Sequence, residues 1–354
     1  MSFSRKEPVL YRSRFSRSAA LFLALAIIAC ALSGCTEREK RYEVTYLSLF
    51  DTVITVILYA ADEAAAQAEF QNIYSDLAHY DALFDIYEAH GGTVNLYTLN
   101  ETAAIAPVQV EQALFDLLCF GREAYEATEG RVNIAMGSVL SLWHEARSAG
   151  IEDPQNAALP DMTLLQEAAA HTDIGDLVLD EAALTVFFAD PLLKLDVGAL
   201  GKGFAAELAA QSAKERGVSR MLLNLGGNVC AVGEKAEGEP WRINVQDPDD
   251  ASGVLTTLSL QDASLVTSGG YQRYYTVGGT QYHHIIDPDT LMPAAYVKAV
   301  TVTHENSGWA DALSTALFNL PYEEGRALAE KMGAGAVWER NDGSIEWLGI
   351  SPEE

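Results

Sequence analysis

Residues 195–203 read Leu195-Asp196-Val197-Gly198-Ala199-Leu200-Gly201-Lys202-Gly203, an apolar strand-like run that breaks into glycines around one lysine. From Phe204 to Arg216 the pattern is helical, and Gly217 ends it. A strand turning through glycines into a helix offers backbone N–H groups, and here the Lys202 ammonium, to a phosphate. The spacing is not that of a Walker A loop, and a lysine between glycines can equally be a solvated one. Further along, Ala310-Asp311-Ala312-Leu313-Ser314-Thr315 reads as the start of a second helix. Positions four apart share a helix face. Asp311 and Thr315 can therefore present a carboxylate and a hydroxyl to one hard cation, which takes oxygen ligands. The plain alternative is an Asp that caps the helix and a Thr that packs. The sequence predicts that the two stretches meet, with a magnesium ion between them and a pyrophosphate bridging them.

Outward from these stretches, strands and helices mix without regular βαβ alternation, so the class is α+β, with mixed or antiparallel sheets and flanking helices. Glu43 to Tyr59 reads as strand–turn–strand, broken at Phe50-Asp51-Thr52. Ala66, Phe70, Ile73, Leu77 and Tyr80 form one helical stripe. Asp85 to Gly92, with Tyr87 in it, is a loop. Val110 to Ala127 is a helix, and Val132 to Leu140 reads as a loop running into another. Asn224-Leu225-Gly226-Gly227-Asn228 is a strand ending in a tight turn. Gly278-Gly279 suits a two-residue hairpin that delivers His283, His284, Asp287 and Pro288 to one end. Adjacent strand residues face opposite ways, so at most one of the two histidines serves a site there.

The chain has 354 residues, 49% of them hydrophobic, with 50 acidic against 23 basic side chains and a net charge of -27. That balance argues against a nucleic-acid binder, which needs a basic face, and against electrostatic adsorption to anionic lipid. At roughly 100–200 residues per domain the length fits one large domain or two. No repeat or clear linker interrupts residues 43–350.

The N-terminus reads as a targeting segment. Arg5, Lys6, Arg12, Arg14 and Arg17 precede a short apolar core from Ala19 to Ala31. Leu32-Ser33-Gly34-Cys35 then resembles a lipoprotein signal box, with Cys35 as the lipidation site; an ordinary secretory signal with a chance cysteine is the alternative. Removing residues 1–34 takes away five basic side chains and one acid, which moves the net charge from -27 to -31. Residues 35–42 read as a charged tether. A lipid on Cys35 would hold the protein to the outer face of a cell membrane without spanning it. Cys119 and Cys230 have no metal spacing and read as small buried hydrophobes.

Taken in order, Phe50-Asp51-Thr52, Asn133 through Trp143, Leu195 through Gly203, Asn224 through Asn228, Thr267-Ser268-Gly269 through Tyr274, His284-Ile285-Ile286-Asp287-Pro288 and Ala310 through Thr315 resemble the ApbE family of FAD:protein FMN transferases. The resemblance covers nearly all of residues 43–350 and implies a single T-fold-like catalytic unit. It implies that FAD is split and FMN transferred through its phosphate to a threonine of an acceptor redox protein, with release of AMP and a requirement for magnesium. It places the metal on Asp311, Thr315 and the backbone carbonyl of Ala199. It places FAD contacts on Phe50, Tyr87, Ala135, Met136, Gly137, Asp196, Lys202, His284 and Ile285. A threonine hydroxyl is a poor nucleophile near neutral pH and needs a base. His284 is the candidate catalytic base and Asp311 the runner-up.

This chain departs from the family pattern at Phe50, often Met; at Gly201, often Ala; and at Leu291, where Gly usually follows the Thr. Two other readings use the same residues: a magnesium-dependent FAD pyrophosphatase, and a surface lipoprotein that binds flavin without transferring it.

Overall fold

The computed structural model describes residues 39–235 and 238–352. The proposed signal segment 1–34, Cys35 and the first residues of the tether lie outside the described residues.

The chain opens with β1 (Lys40–Leu49) and β2 (Thr52–Ala60), an antiparallel hairpin whose turn holds Phe50 and Asp51 at positive φ. β1 begins at Lys40, inside the stretch read as a tether. Asp62 caps α1 (Glu63–Phe84) by accepting from the Ala65 N–H, and the stripe Ala66, Phe70, Ile73, Leu77 is buried. α2 (Leu96–Thr102) is too short for sequence periodicity to reveal. β3 (Val108–Gln109), α3 (Gln112–Ala127), α4 (Gly137–Glu152), α5 (Met162–Ala169), β4 (Leu177–Asp180) and β5 (Thr185–Phe188) follow, with β3, β5 and β4 forming a small sheet.

Leu195-Asp196-Val197 is extended but pairs with no strand; only Lys194 forms a bridge, to Met136. α6 (Gly201–Glu215) begins at Gly201 rather than Phe204, so Lys202 lies in its first turn. β6 (Met221–Leu225) and β7 (Asn228–Val232) form a hairpin through Gly226-Gly227. β8 (Trp241–Asp247) and β9 (Asp250–Leu260) form a separate two-stranded ribbon. β10 (Ser264–Gly269) rejoins the main sheet, and β11 (Tyr274–Val277) with β12 (Thr280–His283) forms the Gly-Gly hairpin expected from the sequence. The chain closes with β13 (Ala299–His304), α7 (Ser307–Phe318), α8 (Tyr322–Lys331), β14 (Gly335–Glu339) and β15 (Ile345–Leu348).

Among the described residues, eight strands make one antiparallel sheet in the order β1-β2-β6-β7-β10-β13-β14-β15. The architecture is α+β. The register sets Ile54 opposite Leu225, Val56 opposite Leu223 and Leu58 opposite Met221. These six side chains are buried with the apolar faces of α1 and α6. The other face, with Val229, Ala231 and Leu265, packs on Trp241, Val245 and Leu258 of the β8–β9 ribbon. β7 is buried along its whole length, as a strand covered on both faces must be.

α6 packs closely because its inner face is small: Ala205, Ala206, Ala209, Ala210 and Ala213 are all buried. At Gly203 a Cβ would stand 2.3 Å from the Ser307 carbonyl oxygen and 2.4 Å from the Asp311 Cβ, so only glycine admits this approach of α6 to α7. An aromatic chain pins the two helix starts together. Phe204 stacks on Phe120 with centroids 5.4 Å apart, and Trp309 meets Phe120 edge-on at 5.0 Å.

Candidate active site

A cleft of about 470 Å³ opens where α4, α6, α7, the β1–β2 turn and the base of the β11–β12 hairpin converge. That volume suits a ligand of nucleotide size. Four cations, Arg131, Arg147, Lys202 and Arg273, line it against three carboxylates, Asp51, Asp196 and Asp311. In a chain with more than twice as many acids as bases, this concentrates positive charge where an anion would sit.

The floor is the contact between α6 and α7. Asn306 caps α7, its side chain accepting from the Trp309 N–H. Asp311 is therefore in the second turn, and the reading of it as a cap is excluded. Its side chain is 5% exposed, and Oδ2 accepts the Gly203 N–H at 2.7 Å. Burial pushes its carboxyl up to about 6, opposed by the Lys202 charge, the Gly203 N–H and the Asn228 amide. A buried carboxylate held beside a lysine is a costly arrangement that a site with a positively charged occupant explains.

Thr315 lies one turn further along and lines the same cleft, and its Oγ1 is 3.4 Å from the Ala199 carbonyl oxygen. Neighbouring ligands of a six-coordinate magnesium stand about 3 Å apart. The carboxylate, hydroxyl and carbonyl form an all-oxygen set, and the residues fit a hard cation. The acidic trio Asp247, Asp249 and Glu339 is elsewhere, outside the cleft lining, and the Lys298 ammonium pairs with Asp249 and Glu339.

The two histidines separate by their hydrogen bonds. His283 Nε2 donates to the Ala294 carbonyl at 2.8 Å, and its Nδ1 accepts the Ile285 N–H at 3.2 Å. Both ring nitrogens are engaged, so His283 is structural. His284 Nδ1 lies 3.2 Å from the Arg273 carbonyl. A carbonyl only accepts, so Nδ1 carries the proton and Nε2 keeps its lone pair. The ring is open to the cleft yet crowded by its walls. Desolvation first, then the Arg273 and Lys202 charges, push its pKa down to about 3.

Of the other predicted contacts, Tyr87, Met136, Asp196, Lys202 and Ile285 line the cleft. The Tyr87 ring lies 5.2 Å from that of His144. Asp196 accepts the Gly198 N–H at 2.8 Å, and burial against the cleft wall raises its pKa. Three predicted residues are placed behind the lining. Phe50 packs against the core, its N–H donating to Asp81, while Asp51 and Thr52 face the cleft. Ala135 is fully buried, and Gly137 packs on the Lys194 backbone, where a Cβ would stand 2.6 Å from its carbonyl oxygen.

Sequence reasoning missed Arg131, His144, Arg147, Asn228 and Arg273, all in the lining. The i,i+3 spacing of His144 and Arg147 on one helix was a signal, Asn228 and Arg273 stood inside blocks quoted above without a role, and Arg131 is a single residue with no signal. Arg131 is braced by Asp287 at 3.7 Å and Asp289 at 2.6 Å. The Leu291 departure also finds its place. Leu291 sits at φ +58°, a conformation glycine takes without strain, and its carbonyl accepts the Trp143 indole N–H at 2.9 Å.

Residues 50–338 match the model of the ApbE family. A FAD:protein FMN transferase of Klebsiella pneumoniae is 31% identical over 293 residues, covering 82% of this chain and 86% of that protein. One from Treponema pallidum is 31% identical over 332 residues, covering 88% and 89%. Among solved structures, the ApbE protein of Thermotoga maritima superposes with a TM-score of 0.78 at 26% identity, covering 88% of this chain and 97% of that one. The cleft, the oxygens on its floor and its histidine thus stand in a chain that belongs to the ApbE family.

Proposed function

We propose that this protein is a FAD:protein FMN transferase, moving FMN from FAD to a threonine hydroxyl of an acceptor protein and releasing AMP. The observation that carries the reading is the floor of the cleft, where the Thr315 hydroxyl lies 3.4 Å from the Ala199 carbonyl and the Asp311 carboxylate lines the same cleft with Lys202. Relatives named for this activity support it.

Asp311, Thr315 and the Ala199 carbonyl would hold the magnesium, which supplies charge neutralisation at the pyrophosphate when bound. Lys202, in the first turn of α6, binds the phosphoryl oxygens together with the positive end of that helix. Tyr87 and Met136 bound the ring-binding part of the cleft. The acceptor oxygen attacks the phosphorus of the FMN half; the phosphoanhydride bond to AMP breaks, and the hydroxyl proton passes to Nε2 of His284. Phosphoryl transfer of this kind needs mainly positioning and charge offset, which the fixed floor provides.

Incubation with FAD, magnesium and a threonine-containing acceptor peptide tests the reading. A mass gain of one FMN on the acceptor, with AMP released, supports it. AMP with free FMN supports hydrolysis instead, and neither product leaves a flavin binder. The lipobox reading adds a location outside the cytoplasmic membrane, anchored through Cys35. Cys35→Ala is expected to move the protein from the membrane fraction to the soluble one; unaltered fractionation would refute the anchor.

A further inference from the structure

We propose that Asn228 is a positioning residue for the cation site: when a divalent ion binds, its carboxamide donates to Asp311 and fixes the orientation in which that carboxylate accepts the ion. The proposal rests on the metal-binding reading given above.

Asn228 is the first residue of β7 and is 4% exposed, and it lines the cleft together with Asp311. Its Nδ2 is buried and reaches no acceptor at hydrogen-bonding geometry. A buried donor left unmade costs free energy and calls for an explanation. Asp311 offers one, since Oδ2 is taken by the Gly203 N–H and the carboxylate has a second oxygen. The Asn228 amide lies near enough to interact with that group. Hydrogen bonds of this kind are often long in a free site and tighten when the occupant arrives.

The backbone holds Asn228 in place. Gly226 and Gly227 both take positive φ, and the Gly227 N–H donates to Asn224 Oδ1 at 2.8 Å. A Cβ on Gly226 would stand 2.0 Å from Thr52 Oγ1, so the turn is wedged against the β1–β2 hairpin. Asp311 is held from α6 by the Gly203 N–H, and Asn228 offers the unused donor that would hold it from the sheet. Removing such a supporting contact typically weakens metal affinity about 10–100-fold.

The test is manganese binding, followed by the loss of the free-ion electron paramagnetic resonance signal, in protein saturated with FAD and without acceptor. Asn228→Ala is expected to weaken manganese affinity about 10-fold or more, and Asn228→Ser, which keeps a donor, to weaken it less. FAD affinity in EDTA, read by flavin fluorescence, is expected to match the parent in both variants and reports that they are folded. Parent-like manganese affinity in Asn228→Ala overturns the proposal. So does a loss of FAD affinity in EDTA in the Ser variant, which would assign Asn228 to the nucleotide or to the fold. If the parent protein itself binds no manganese, the metal-binding reading falls, and this inference with it.

Discussion

The backbone N–H of Gly203 donates to Oδ2 of Asp311 across 2.7 Å, joining the first turn of α6 to the second turn of α7. One bond thereby ties the helix start proposed to meet phosphate to the carboxylate proposed to meet the cation. A methyl group at Gly203 would collide with the Ser307 carbonyl and the Asp311 side chain. Gly203→Ala is expected to cost about 1–3 kcal/mol of stability, as other overpacked contacts do. It should also spread the two sites, lowering FMN transfer much more than FAD binding. Thermal melts and steady-state kinetics measure the two effects; a variant with parental melting temperature and turnover would contradict the close approach.

Asp311 couples stability to function with opposite signs. Its folded pKa, about 6, lies above the ordinary 3.8. The native state therefore keeps this proton longer than the unfolded chain does. Stability from this group is fully present below pH 3.8 and is lost as pH rises through about 6. The neutral isostere escapes that loss. Asp311→Asn should stabilise the metal-free protein at pH 7 by about 3 kcal/mol at most, have little effect at pH 3.5, and abolish magnesium-dependent turnover. Denaturant titrations at both pH values check the sign.

Lys202 is the lining cation carried in the first turn of α6. Charge-assisted hydrogen bonds contribute roughly 1.5–3 kcal/mol, so Lys202→Ala should raise the FAD requirement about 10–100-fold. The effect should shrink as salt is added, because screening weakens charge pairs. Initial rates at graded FAD and ionic strength give both readings, and a parental KM would remove Lys202 from the phosphate site.

In the proposed reaction His284 takes a proton through Nε2. General-base catalysis contributes about 10²–10⁴-fold, so His284→Asn should lower kcat by that order with FAD affinity nearly unchanged. In the ligand-free protein the imidazole should stay neutral down to pH 4, since its pKa is held near 3. Protons then bind the unfolded chain preferentially between about 6.5 and 3, and stability from this group is lost as pH falls through that window. Nitrogen-15 shifts of the ring follow the titration directly. A bound pyrophosphate, bringing negative charge, should raise this pKa.

Long, regular elements were legible in the sequence for a simple reason. α1 spans 22 residues, enough turns for its buried stripe to stand out, and Gly278-Gly279 has few uses besides a hairpin turn. That Asp311, Thr315 and Ala199 line one cleft was legible because motif order carried it. Local boundaries were not. α6 starts at Gly201 because the Gly201 N–H bonds back to the Val197 carbonyl at 2.7 Å, a contact that glycine composition conceals. Arg131, Arg147 and Arg273 could not be found as a set, since only the fold makes neighbours of residues so far apart along the chain. Phe50 was legible as part of a block but not in its role. Positive φ at Phe50 and Asp51 sends the ring to the core and leaves the smaller neighbours at the cleft.

β1 takes up sheet structure at Lys40, only five residues after Cys35. Fully stretched, that leash reaches about 16–18 Å. A protein moored through Cys35 would ride close against the bilayer, its hairpin edge nearest the lipid. Acceptors would then be drawn from proteins whose threonines are presented within a shallow layer above the membrane, and lengthening the leash by inserted residues would widen that range.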